Sequence, residues 1–198
     1  FNWRCEPEQA GGALADIGSH IIAMARHLLG EIAEVSGRLH TAHPMRRTPD
    51  GVERMVRVDD QMDAVIRFEN GATGTLSASW IATGRKMGLG FEVGGTKGSI
   101  AFTQERFNEL QLYRAGSGIN NGFTTIMAGP GHGAYGDFCP ASGHQIGYND
   151  LKTIEVKAAI DAVLGDRSGA KDFADALEVE RVADAIRRSH RERGWIEL

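Results

Sequence analysis

Asp16 and His20 stand four residues apart in a stretch, Ala13 to Leu29, whose apolar positions recur at helical spacing. On a helix, that interval puts both side chains on one face, one turn apart. A carboxylate beside an imidazole holds the ring's orientation and raises its basicity, which suits a general base aimed at a hydroxyl proton. The same pair also serves as an ordinary helix-surface contact, so spacing alone leaves both readings open. Arg85 and Lys86 follow Trp80 at the end of a strand-like run, where ligand contacts and plain solvated turns both occur. Asn108 and Glu109 carry the same ambiguity.

Rival chemistries find less support. Asp16, His20, His132 and His144 are metal-ligand types, but no H-x-x-x-H pair occurs and the loop histidines lack ligand spacing. The expectation is therefore no metal. Gly131-His132-Gly133-Ala134-Tyr135-Gly136 matches G-x-G-x-x-G, but no strand precedes it and Asp137-Phe138-Cys139-Pro140 follows it instead of a helix. A pyrophosphate would have no helix N-terminus to sit on. No G-x-S-x-G elbow supports a serine nucleophile, and Ser19 does not face His20 on a helix. Cys5 and Cys139 are too few and too far apart for a disulfide scaffold.

The elements that must position these groups follow from periodicity. Leu14, Ile17, Ile21, Met24 and Leu28 give the first helix, which Gly30 stops. Residues 32–41 read as a strand, and 43–59 as a polar connection with Asp50-Gly51 as a turn. Met62, Ala64, Ile66 and Phe68 form one apolar face of a strand. Asn70-Gly71 predicts a two-residue type I′ turn, and the return strand sets Ala72, Gly74, Leu76, Ala78 and Trp80 against Thr73, Thr75, Ser77 and Ser79. Strands at 89–94, 98–103 and 109–114 extend an antiparallel meander. Residues 115–147 hold nine glycines and two prolines, and their aromatics and histidines suggest a binding loop. Two helices close the chain, over 149–164 and 172–192, the second turning Phe173, Leu177, Val182 and Ile186 inward. The sum is an α+β class: one large, mostly antiparallel sheet with helices on one face.

The chain has 198 residues and a net charge of −4, which argues against nucleic acid. No apolar run approaches a membrane span. The first residue is Phe1 rather than Met, and no signal peptide is visible, so the expectation is a piece of a longer cytoplasmic protein.

Taken together, several segments resemble the C-terminal domain of the Gfo/Idh/MocA oxidoreductases, the glucose–fructose oxidoreductase and inositol dehydrogenase relatives. They are Trp3-Arg4, Gly11-Gly12-Ala13-Leu14-Ala15-Asp16-Ile17-Gly18-Ser19-His20 and Leu28-Leu29-Gly30-Glu31. Gly84-Arg85-Lys86, Phe91 to Ser99, Glu105 to Leu110, Gly143 to Asp150 and Ala176 to Val179 continue the likeness over nearly the whole chain. The D-x-G-x-H segment in its G-G-x-L context is the specific part.

The resemblance implies a dihydrodipicolinate-reductase-like fold, one substrate and oligomerisation domain over 1–198, and a separate Rossmann domain that binds NAD or NADP. It implies that His20 is the acid/base and Asp16 its orienter or a substrate-hydroxyl ligand, partnered by a lysine of an E-K-P motif that this chain lacks. Arg85, Lys86, His132, His144 and Tyr148 are then expected to read other hydroxyls of a sugar or inositol-type polyol. This chain alone is expected to be inactive, and to pair with its own copies through the open sheet face. One departure is Ala23, where the family often has a second acid. It keeps a second reading in play: a sugar-binding or assembly module that retained the fold without catalysis.

Overall fold

The computed structural model describes every residue except Ala10 and Asn120. The chain divides into two compact units, Phe1–Thr83 with Asp172–Leu198, and Gly84–Lys171. The α+β class with antiparallel strands is observed. The strands do not form one large sheet, however. Each unit builds its own four-stranded sheet.

In the first unit, helix α1 (Ser19–Leu29) is followed by β1 (Ile32–His40), a small hairpin of β2 (Met45–Arg47) and β3 (Glu53–Met55), then β4 (Gln61–Phe68) and β5 (Thr73–Ser79). The hairpin lies inside the stretch read as a polar connection, and its turn contains the expected Asp50-Gly51. Alternation sets the register of β4 against β5, with Met62 opposite Ala78 and Ala64 opposite Leu76, all four buried. The opposite face, with Asp63, Val65, Arg67, Thr73, Thr75 and Ser77, is exposed.

The turn between β4 and β5 differs from the expected type I′. Only Gly71 takes positive φ (87°), so Asn70 keeps an ordinary conformation. Gly71 N–H donates to Phe68 O at 2.9 Å and Phe68 N–H to Ala72 O at 2.8 Å, a three-residue loop with the glycine in the left-handed position. The Asn70 side chain explains the choice. Its amide donates to Leu29 O at 2.7 Å and its oxygen accepts from Ala72 N–H at 3.0 Å, tying the turn to the end of α1.

The second unit holds the meander β6 (Gly90–Gly95), β7 (Gly98–Thr103), β8 (Glu109–Arg114) and β9 (Thr124–Met127), then helix α2 (Tyr148–Val163). Strand β9 and a 3-10 turn at Gly133–Asp137 interrupt the expected 115–147 loop, of which Asn120 lies outside the described residues.

The chain returns to the first unit with α3 (Phe173–Glu192) and a short β10 (Ile196–Glu197) that pairs with β1. Asp172 caps α3 as its type predicts, accepting from Ala174 N–H at 2.9 Å and Asp175 N–H at 3.1 Å. The inward face is corrected. Phe173 is 95% exposed and Leu177 53%, whereas Val179, Val182, Ala183 and Ile186 are buried. At about 100° per residue, Leu177 lies half a turn around the helix from Ile186.

The core of this unit joins Leu14 and Ile22 to Val35, Met62, Ile66, Phe68 and Leu76 from the sheet and Val182 and Ile186 from α3. Each such side chain contributes about 1.5–3 kcal/mol by leaving water. Arg26 clips the two helices together. Its guanidinium meets both oxygens of Glu31, at 2.8 and 2.9 Å, and donates to Asp175 O at 3.1 Å. No helix among the described residues is long and apolar enough to cross a membrane.

Candidate active site

Asp16 and His20 both lie where the first unit's chain enters its helix. Gly12 begins that entry with φ of 87°, and a Cβ there would meet Asp59 Oδ1 at 2.1 Å. The close approach lets Asp59 cap the helix. Its carbonyl accepts from Ala13 N–H at 2.9 Å and its carboxylate from Leu14 N–H at 2.8 Å. Asp59 is buried, and burial pushes its carboxyl above the usual range, opposed by the Leu14 N–H bond. Its neighbour Asp60 is fully buried and accepts from His43 N–H at 2.9 Å and from the Arg46 guanidinium.

Past this cap the helix opens into a π-turn over Leu14–Gly18, with Asp16 at its centre, before α1 begins. Such wide turns inside helices often accompany functional sites. The Asp16 carboxylate is held at one oxygen, Oδ2. Trp80 Nε1–H donates to it at 3.1 Å and Arg4 Nε–H at 3.2 Å. It makes no hydrogen bond to His20, the contact that ideal helical spacing suggested. The π-turn breaks that spacing, and the indole and guanidinium have taken the carboxylate. His20 sits in the first turn of α1, exposed, its side chain making no hydrogen bond among the described residues.

The donors to Asp16 come from two anchored places. Trp80 extends β5 by one residue, its N–H donating to Asp60 O at 2.9 Å. Its ring packs with Phe1 against a small cluster of Cys5, Val56 and Val58. Arg4 belongs to a 3-10 turn, Trp3–Cys5, and its guanidinium lies 4.3 Å from the Trp3 ring centre. Sequence reasoning placed Trp80 on the correct strand face but gave no role to Arg4, Asp59 or Asp60.

The remaining candidates lie in the second unit. Arg85 Nη1–H donates to Glu105 Oε2 at 2.9 Å and Lys86 N–H to Glu105 Oε1 at 2.8 Å, which lowers the Glu105 carboxyl below its usual range. His132 Nδ1 accepts from Gly129 N–H at 3.1 Å, a bond internal to its loop. His144 is exposed, and Tyr148 lies 5.8 Å from the Lys152 ammonium. No hydrogen bond or ion pair joins any two of these five among the described residues. Asn108 acts as a loop staple, donating to Ile146 O at 3.0 Å and accepting from Ile146 N–H at 3.1 Å.

No group of three or more histidine, cysteine or acidic side chains among the described residues is arranged to hold a metal. The Gly131–Gly136 hexapeptide runs into the 3-10 turn Gly133–Asp137, and no α-helix starts directly after that turn. It therefore offers no pyrophosphate cradle.

The antiparallel α+β architecture has counterparts among known proteins. The sequence pattern of the GFO/IDH/MocA C-terminal domain matches residues 1–101, and the chain belongs to that family. It is 37% identical to levoglucosan dehydrogenase of Pseudarthrobacter phenanthrenivorans, covering 100% of this chain and 55% of that protein. It superposes on an NAD binding oxidoreductase from Klebsiella pneumoniae with a TM-score of 0.93 and 38% identity, covering 100% of this chain and 54% of that one. The levoglucosan dehydrogenase complex with NADH and L-sorbose gives 0.92 and 37%, over 100% and 53%. The chain thus spans about half the length of the relatives it matches.

Proposed function

We propose that this chain is the substrate-handling part of a nicotinamide-dependent dehydrogenase of sugars or inositol-type polyols. The observation that carries the reading is an exposed His20, its side chain without a hydrogen bond among the described residues, four positions beyond a carboxylate whose Oδ1 accepts none. Relatives solved with NADH, L-sorbose and levoglucosan support the substrate class and the cofactor. The nicotinamide supplies the hydride acceptor. The relatives it matches are about twice its length, so the activity is proposed for the whole protein.

The chain's residues divide the remaining work. His20 removes the proton of the hydroxyl whose carbon loses hydride, and returns it in the reverse direction. Asp16 accepts a hydrogen bond from a sugar hydroxyl at Oδ1 and so positions that carbon. Among the second-unit candidates, Arg85 and His132 are engaged by Glu105 and Gly129. Lys86, His144 and Tyr148 keep side chains without hydrogen bonds among the described residues and are the better second-unit candidates for polyol contact.

The test is a full-length His20→Ala variant assayed for NAD reduction over a panel of sugars and polyols. A fall in kcat of about 100-fold or more is expected for a lost acid/base. Wild-type turnover would instead favour a binding module that kept the fold. The exposed Thr73, Thr75 and Ser77 row also suits pairing of copies through the open sheet face. Light scattering should then show an oligomer, and a monomer at high concentration would refute that pairing.

A further inference from the structure

We propose that Trp80 and Arg4 are positioning residues that act through Asp16, saturating one carboxylate oxygen so that the other is presented to a sugar hydroxyl. The proposal rests on the function above and extends it to residues with no assigned role. An ionised carboxylate offers about four acceptor sites over two oxygens. Here both donors converge on Oδ2, at 3.1 and 3.2 Å, and Oδ1 accepts nothing among the described residues. Arg4 approaches through Nε alone, not with the two-pronged grip that best suits a structural ion pair.

A purely structural explanation fails on two counts. Asp16 is not needed to cap the helix, because Asp59 already takes the Ala13 and Leu14 N–H groups. The ion pair is also weak as a stabiliser, since the Arg4 side chain is 45% exposed. The donors themselves are well fixed: Trp80 by the β4–β5 ladder and the Cys5, Val56, Val58 cluster, Arg4 by its 3-10 turn and the Trp3 ring. Two rigid donors on one oxygen stop the carboxylate from rotating, which lowers the entropy cost of engaging a hydroxyl.

The experiment is a double-mutant cycle in the full-length enzyme with Trp80→Phe, Asp16→Asn and the pair. Phenylalanine keeps an aromatic ring in the cluster and removes the N–H donor. Trp80→Phe should raise KM for the sugar about tenfold, with kcat changed less than about threefold. On the Asp16→Asn background it should add less than about twofold. In the same proteins, the indole N–H resonance that vanishes in Trp80→Phe should shift in Asp16→Asn. A Trp80→Phe penalty undiminished on the Asp16→Asn background, or an unmoved indole resonance, would overturn the positioning role. Wild-type kinetics for Asp16→Asn would overturn the catalytic reading beneath it, and the proposal with it. The two failures are therefore told apart.

Discussion

The two units spend their sequence differently. Among the described residues, every buried hydrophobic side chain except those of Cys139 and Ile146 belongs to the first unit. That unit also buries Arg26, Asp59, Asp60 and Ser189, each with hydrogen-bonded partners. The second unit's four strands have no fully buried residue, and neither does α2. Precise placement of Asp16 needs a stiff surround, and the first unit supplies it. The second unit offers exposed polar side chains on loops held by single staples such as Asn108, the kind of surface that tunes recognition.

The largest expected contrast is in stability. Phe68→Ala removes a buried ring from the first core and should cost about 4 kcal/mol. Leu112→Ala, at a half-buried position of β8, should cost about 1 kcal/mol. Chemical denaturation with amide exchange in both units checks this, and equal penalties would erase the distinction. A second contrast is catalytic. In the assay that tests His20→Ala, His132→Ala and His144→Ala should lose less than about tenfold, since hydroxyl contacts contribute less than the proton transfer. A loss as large as that of His20→Ala would move the chemistry toward the second unit.

The smallest effect concerns the cap. The folded Asp59 carboxyl titrates above its ordinary 3.8, so the folded state holds its proton more tightly than the unfolded chain does. That stabilisation is complete below the unfolded value and is lost as pH rises through the folded one. Asp59→Asn lacks this loss. Its melting temperature relative to wild type should therefore rise as pH climbs through that window. A difference independent of pH would show that Asp59 is not ionising in a buried site.

Much of this was legible because one-sided burial imprints a period. Met62, Ala64, Ile66 and Phe68 alternate because their strand has one buried face, and the same parity put Trp80 beside the helix. The helix over 172–192 was legible from its period, and Asp172 proves to be its cap. The Asp16 clamp was not legible, since Arg4 and Trp80 are 12 and 64 residues away in sequence. Asp59 lay at the end of the 43–59 stretch read as a polar connection, and Asp60 carried no reading. Only tertiary packing buries them, and the one local signal for Asp59 is Gly12, which has no Cβ to meet its carboxylate. Phe173 and Leu177 misled because apolar type was weighed above helical angle. The π-turn had no sequence signature, so the spacing argument assumed an α-helix where the chain has a wider one.

The central claim is that Asp16 and His20 meet the substrate. The most direct measurement is a crystal structure of the full-length protein with NADH and a bound sugar. The account predicts one sugar hydroxyl within about 3 Å of a His20 ring nitrogen and another at Asp16 Oδ1, with Trp80 still donating to Oδ2. A sugar seated with neither residue in hydrogen-bond reach would contradict it.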